Sequence, residues 1–303
     1  MNECLPIYIF GEVLFDCFAD SEPLLGGAPF NVAWHLQAFG VNPRLISAVG
    51  DDDGGKQILA KMQQWQMVTD SVAVDPLHDT GRVQISIIEG EPSYEFVLDT
   101  AYDHIQPQNL STPEGEHLFY HGSLAARCST SRDSLAQLRD WPAQKAFVDV
   151  NLRDPWWELE WVLAEVHGAH CVKLNRQELI CLSKTEQAQD DIEWLQALAR
   201  NFRLENNIAN LIVTLGADGA FLVYEMGQII SHEMPPQTTT VVDTVGAGDA
   251  FASIVLLGML HHWQWDTILE RAQQFAGFIV TQQGAVSDNP AIYGDFKCLW
   301  GMI

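Results

Sequence analysis

Short apolar runs recur along the chain at residues 7–10, 44–49, 118–121, 146–150, 171–174 and 211–215, each closed by polar or glycine residues. Uninterrupted runs of this length suit strands buried on both faces, not the half-exposed strands that alternate apolar with polar. Between them lie stretches with helical spacing of apolar positions, at 31–39, 55–66, 131–139, 177–182 and 190–202. Two longer helices are predicted near the end, at 246–262 and 266–283. Strands that alternate with helices predict an α/β fold with a mainly parallel sheet and helices on both faces.

Two segments break the alternation, at about 13–25 and 80–98. In the second, Val83, Ile85 and Ile87 alternate with Arg82, Gln84 and Ser86, and a turn at 90–92 leads into Tyr94, Glu95, Phe96 and Val97. That is a hairpin with one apolar face. It suits a small β lid over a pocket or an ordinary edge hairpin, and periodicity leaves both readings open. There is no repeat, low-complexity stretch or Pro/Gly/Ser linker, so residues 1–303 read as one continuous domain.

Composition narrows the class. The chain has 303 residues, of which 47% are hydrophobic and ten are tryptophan, enough to bury a large core. Sixteen Lys+Arg against 40 Asp+Glu give a net charge of −24. Such a surface repels nucleic acid and anionic lipid, and a nucleotide as well unless backbone N–H groups and a metal offset the field. The charge also suits a saline habitat. The six cysteines form no C-x-x-C pair and read as reduced thiols. Residues 1–4 lack a signal-peptide start, and the longest apolar stretch, about 250–260, is too short to span a bilayer. A cytoplasmic enzyme with no membrane or nucleic-acid partner is the expectation.

The candidate chemistry lies late in the chain. Residues 211–219 run from an apolar strand into a glycine turn. Residues 241–251 read Val-Val-Asp-Thr-Val-Gly-Ala-Gly-Asp-Ala-Phe and enter an apolar helix. Gly246 and Gly248 let a ligand approach the backbone, and the first N–H groups of a helix lack internal partners. A helix that starts Gly-Ala-Gly is therefore suited to a phosphate or a developing negative charge. Asp249, one residue on, is placed to take a proton from an attacking hydroxyl. A carboxylate at a helix start is also a structural device, and these residues alone leave both roles open.

The Asp243–Phe251 stretch resembles the C-terminal signature of the ribokinase-type (PfkB) sugar kinases. Gly26-Gly27-Ala28-Pro29-Phe30-Asn31-Val32-Ala33 resembles that family's N-terminal signature. Further matches follow in order at 11–12, 49–52, 149–153, 175–178 and 214–219. The resemblance implies a ribokinase-like three-layer α/β fold with a small β lid, and an ATP-dependent phosphotransferase acting on an alcohol group. It implies that Asp249 is the base and that Gly246, Ala247 and Gly248 form the anion hole. It places Asp16, Gly27 and Asn31 on the sugar hydroxyls and Arg153 near substrate or transferred phosphate. Asn175 and Glu178 would organise magnesium-bound water and phosphates, and Thr214, Gly216 and Gly219 the nucleotide turn. Asp243 matches a monovalent-cation site, potassium being the expected ion. Asp16 and Asn31 equally suit turn formation and capping, and Asn175 with Glu178 equally suits a capping pair.

The Gly-Gly-Ala-Pro form of the first signature and Asp-x-Asn-Leu-Arg at 149–153 resemble the fructokinase branch most. Fructose is the expected substrate, with ribose, 2-keto-3-deoxygluconate, a nucleoside, or a non-catalytic sensor role as alternatives. Tyr94 and Phe96 are candidate aromatic walls for the sugar and equally suit packing within the lid. An exposed apolar lid face would favour a homodimer. Residues 50–57 nearly spell a P-loop, but Gln57 replaces the metal-binding hydroxyl. Three aspartates would also sit among phosphates, at about 4 kcal/mol for each pair of unit charges about 4 Å apart. The stretch reads as a loop and an acidic helix start. His261-His262 and His167/His170 have no acidic or cysteine partner at zinc spacing and read as surface or packing residues.

Overall fold

The computed structural model describes residues 5–18, 22–88, 91–107, 110–185, 191–233 and 241–302, with the backbone alone at 18, 86–88 and 91–94. Gly90, at the expected hairpin turn, and residue 190, at an expected helix start, lie outside the described residues, as does the side chain of Tyr94.

In chain order, β1 (Ile7–Phe10), β2 (Leu14–Phe18), β3 (Leu24–Gly26), α1 (Ala28–Ala38), β4 (Arg44–Gly50), α2 (Asp53–Gln64) and β5 (Val72–Asp75) come first. The hairpin β6 (Gly81–Ile88) and β7 (Glu91–Phe96) follows. Next come β8 (His117–His121), α3 (Ser129–Arg139), β9 (Gln144–Asp149), α4 (Leu159–Val166), β10 (Cys171–Asn175), α5 (Arg176–Leu182), α6 (Ile192–Glu205) and β11 (Asn210–Thr214). A meander of β12 (Ala220–Tyr224) and β13 (Gln228–His232) precedes α7 (Ala247–Leu260), α8 (Trp265–Ile279) and α9 (Pro290–Leu299).

Among the described residues, nine strands form one sheet in the order β13-β12-β11-β10-β9-β8-β1-β4-β5. It is parallel from β11 to β5, and β12 and β13 are antiparallel. Successive residues on its strands point to opposite cores. Phe147 and Ile212 pack with α1, α2, α7, α8 and α9. Val148, Leu211 and Val213 pack with α4, α5 and α6. Both faces are covered, so these strands read as continuous apolar runs.

Several boundaries differ from the pattern. The helix expected to reach residue 283 stops at Ile279, because the Val280 carbonyl accepts from Val242 and Asp243 N–H groups and the chain turns away. β5, β12, β13, α4 and α9 were not expected from the apolar pattern. The near-P-loop is a helix cap: the Asp52 carboxylate accepts from Gly55 N–H (2.7 Å), Thr80 N–H (2.8 Å) and the Thr80 hydroxyl (2.6 Å), tying α2 to the start of β6.

β3, β2, β6 and β7 make a second sheet in that order. β2 pairs with β6 in parallel, whereas β2–β3 and β6–β7 are antiparallel. Arg82 and Gln84 are exposed, and Val83 and Ile85 are buried in one cluster with Leu14 and Tyr102. This corrects the expectation of an exposed apolar face at those two residues: the chain covers them itself.

Candidate active site

α7 is apolar on nearly every side, so the core fixes its axis and therefore its start. Gly246, the residue before its first turn, has φ 79°, a left-handed conformation that favours glycine, and a Cβ there would overlap Ala285. The turn before it is held from two sides. Val245 N–H donates to Asp243 Oδ1 (3.0 Å) and Gly284 N–H to Asp243 Oδ2 (3.1 Å). The 284–287 segment is anchored in turn to α1. Trp34 Nε1 donates to the Ser287 carbonyl (2.8 Å), and His35 Nε2 lies 3.1 Å from the Ala285 carbonyl. A carbonyl only accepts, so Nε2 of His35 carries the proton. Burial pushes that imidazole down to about 3, so it is neutral.

α1 also carries Asn31. Its Nδ2 donates to Asp249 Oδ2 across 2.7 Å; Asn31 is buried and Asp249 half-buried. Gly27, which caps α1 at φ 105°, brings the helix start against the Glu12 backbone, where a Cβ would collide with the Glu12 carbonyl. Burial holds the Asp249 carboxyl above its ordinary range, the bond from Asn31 draws it back, Asp149 raises it, and Lys173 and Arg153 lower it. A carboxylate whose pKa is raised is a stronger proton acceptor than an ordinary one once ionised.

A cleft of about 670 Å³ passes over this point. One end holds Asp16, Gly27, Asn31 and Phe96, and the other Asn175, Glu178, Thr214 and Gly216, with Arg153, Gly246, Gly248 and Asp249 between. Three expected residues are not on its wall. Ala247 begins α7, Asp243 ties the turn, and Gly219 closes a short 3-10 turn with its carbonyl accepting from Leu215 N–H (2.8 Å). Asn175 and Glu178 form the expected capping pair. Asn175 Oδ1 accepts from Glu178 N–H (2.9 Å), and Glu178 accepts from Asn175 and Leu152 N–H groups (both 2.8 Å). Burial holds the Glu178 carboxyl above its ordinary range.

Besides Asp16, the cleft contains groups to which the sequence assigned no role, Glu12 and Lys173 among them. Glu12 is buried, and its Oε2 has no hydrogen-bond partner among the described residues. Burial pushes its carboxyl up to about 7, with Asp249 adding and Arg153 opposing. Asp16 is pushed up to about 6, first by burial and then by Asp249, against Arg153. Lys173 Nζ donates to both Asp149 oxygens (2.8 and 3.0 Å) and lies beside Gly248. Burial works against that ammonium, but Asp149 outweighs it and keeps its pKa above the ordinary value. Tyr120 donates to Asp149 Oδ2 (3.3 Å) from below. The signal in the sequence was a lysine inside an apolar strand, which must be paired. Asp218 lines the cleft with Thr214 and Gly216, and no role was expected for it.

A carboxylate beside glycine-rich helix N–H groups, in a cleft with a polar end on each side, suits transfer of an anionic group to a hydroxyl. The model of the pfkB family carbohydrate kinases matches residues 21–292, and the chain belongs to that family, whose members are phosphotransferases acting on a sugar hydroxyl. It is 26% identical over 304 residues to a fructokinase of Vibrio alginolyticus, covering 94% of this chain and 95% of that one. It is 27% identical over 304 residues to an aminoimidazole riboside kinase of Salmonella typhimurium, covering 94% and 92%. The structure of fructokinase from Vibrio cholerae O395 in fructose, ADP and calcium ion bound form matches with a TM-score of 0.77 at 24% identity, covering 97% of this chain and 99% of that one. That likeness establishes the ribokinase-like α/β fold. Among the described residues, no helix is long and apolar enough to cross a membrane.

Proposed function

We propose that the chain transfers the γ-phosphoryl group of ATP to the hydroxymethyl group of a small sugar, fructose first among candidates. The observation that carries this reading is the Asn31–Asp249 bond at the start of α7, which joins the sugar-side end of the cleft to the glycine-rich helix start. The sugar lies between Asp16, Gly27, Asn31 and Phe96. Asp249 accepts the hydroxyl proton as the oxygen attacks, and the N–H groups at Gly246–Gly248 stabilise charge on the transferring group. Arg153 supports the same charge. Thr214, Gly216 and Gly219 shape the nucleotide turn. The four-stranded sheet acts as a lid that excludes water, within one catalytic domain. Fructose is favoured by the fructokinase relatives and by the form of the first signature.

Magnesium, bound with the nucleotide, would neutralise phosphate charge. Each Glu178 oxygen accepts one backbone N–H and keeps a lone pair for metal-bound water, so the residues fit that role. Asp243 likewise keeps a lone pair on each oxygen for potassium while tying the turn. A cytoplasmic homodimer completes the proposal, although Val83 and Ile85, the face first assigned to pairing, are buried within the chain.

The test is ADP release measured with a panel of fructose, ribose, 2-keto-3-deoxygluconate and aminoimidazole riboside, in wild type and Asp249→Asn. The riboside arm is included because one relative is named for it. Release with fructose that is lost in the variant supports the proposal. Stronger release with another sugar overturns the substrate, no release with any sugar favours a sensor, and near-full activity of Asp249→Asn overturns the mechanism.

A further inference from the structure

Outside the cleft, His78, Asp99 and His104 bring three potential ligand atoms within 4.8 Å of one another. They come from separate places. His78 lies on the connection from β5 to β6, Asp99 just after β7, and His104 at the end of a 3-10 turn spanning Ala101–His104. The two imidazoles stack with centroids 3.6 Å apart and planes inclined by 10°. Both direct Nε2 to one oxygen, Asp99 Oδ1, at 2.8 Å from His104 and 3.6 Å from His78. Asp99 has φ 57°, a backbone conformation that costs a non-glycine residue energy and recurs at functional sites.

Asp75 decides the tautomer of His78. Its Oδ2 lies 2.8 Å from His78 Nδ1, while its Oδ1 accepts from Leu77 and His78 N–H groups (2.8 and 3.3 Å). A carboxylate only accepts, so Nδ1 of His78 carries the proton, and in the neutral ring Nε2 presents a lone pair. That lone pair faces the Asp99 oxygen at 3.6 Å, an acceptor against an acceptor. Either a proton on Nε2 or a metal ion between them relieves that contact. A carboxylate that holds the far nitrogen of a ligating histidine is a recurring support of metal sites. Two ligands on a tetrahedral zinc with bonds of about 2.0–2.1 Å are about 3.3 Å apart, close to the His78–Asp99 separation. His104 must open by about half an ångström and its ring must turn out of the stack, because planes inclined by only 10° aim the two Nε2 lone pairs nearly parallel; the Asp99 side chain, 75% exposed, is free to follow.

We propose that His78, Asp99 and His104 bind a divalent transition-metal ion of the zinc class, with Asp75 orienting His78 and water completing the coordination. Imidazole and carboxylate donors suit zinc, nickel or copper better than magnesium or calcium. The ion would clip the chain leading into β6 to the chain leaving β7, and so stiffen the stem of the hairpin. The stem already rests on a rigid base. Arg127 binds Asp103 with two bonds (2.6 and 2.8 Å) and the Val97 carbonyl (2.6 Å), and Asp103 Oδ2 accepts from Thr100 N–H (3.0 Å).

The experiment is calorimetric titration of the EDTA-stripped full-length protein with Zn²⁺ alone at pH 7.5, with thermal melts in parallel. Wild type is expected to bind about one ion per chain and to melt higher with it. His104→Ala and Asp99→Asn are expected to bind at least about ten-fold more weakly and to lose the melting shift, while metal-free melts stay close to wild type. His262→Ala is expected to bind as wild type does. Cobalt substitution reads the donor set: visible bands of a four- or five-coordinate ion in wild type, absent in His78→Ala, support the site. Absence of zinc binding by wild type, or equal binding by His104→Ala and Asp99→Asn, overturns the site. Binding without a melting shift overturns the clip.

Discussion

Asn31 Nδ2 and Asp249 Oδ2 stand 218 positions apart in the chain and 2.7 Å apart in space. The bond does two things. It fixes the carboxylate rotamer at the start of α7, and it favours the ionised form of a group that burial otherwise drives towards protonation. Asn31→Leu removes that donor. The Asp249 pKa then rises further, so the acid limb of the kcat–pH profile is expected to move to higher pH. Profiles of the two proteins at saturating sugar and ATP check the direction of that shift.

Asp249→Asn keeps an acceptor for Asn31 but removes the base. A loss of about 10²–10⁴-fold in kcat is expected, with little change in melting temperature. Steady-state ADP release and a melt of the same sample separate the catalytic effect from a folding defect.

Glu12 makes stability depend on pH with a definite sign. Its carboxyl titrates at about 7 in the folded chain against 4.5 ordinarily. Between those values the folded state holds a proton that the unfolded state has released, so this group favours folding less and less as pH rises through the window. Above pH 7 the buried charge carries its full penalty, on the order of a few kcal/mol. Glu12→Gln removes it. Chemical denaturation of the ligand-free protein is expected to show the variant gaining stability over wild type at pH 8 and losing that gain by pH 4.5.

Lys173 and Asp149 are both buried, and each neutralises the other. Lys173→Met leaves the Asp149 carboxylate without its cation and is expected to cost about 3–5 kcal/mol. The double variant with Asp149→Asn is expected to recover much of that loss, because no uncompensated charge then remains. Urea midpoints of the three variants form the cycle that tests the pair.

Gly246→Ala meets two obstacles, a left-handed backbone that costs a side chain about 1–2 kcal/mol and contact with Ala285. Lower stability and a kcat decreased further than KM changes are expected, since the turn that presents the helix N–H groups must shift. Gly248→Ala faces only the flexible end of Lys173 and is expected to fold more stably than Gly246→Ala under the same denaturation.

The alternation of strands and helices was legible because each central strand is covered on both faces, which writes it as an unbroken apolar run. α9 was not, because it opens on Pro290 and carries Gly294 and Asp295 among its few core residues, Tyr293 foremost. The glycine-rich start of α7 and its aspartate were readable as local chemistry. Glu12 and Lys173 were not, since each is one charged residue at a strand or its edge, and its worth depends on neighbours far off in sequence. His167/His170 and His261/His262 are neighbours in the chain without a ligand partner at zinc spacing, and spacing along the chain gave no sign of a histidine cluster elsewhere. The trio that does converge, His78, Asp99 and His104, is assembled by the β6–β7 hairpin bringing its two stems together.

The parallel pairing of β2 with β6 has a consequence for exchanging parts between relatives. The small sheet is sewn from two separate stretches, so the backbone passes between it and the large sheet at four places, after β1, after β3, after β5 and after β7. It is therefore not a cassette that one crossover can transplant. Moving only 80–98 from another kinase would pair a foreign β6 with the native β2. Moving 13–27 with it carries Asp16 and Gly27 along and sets them against the recipient's Asn31. A chimera that changes sugar preference must inherit both stretches and α1 from the same donor.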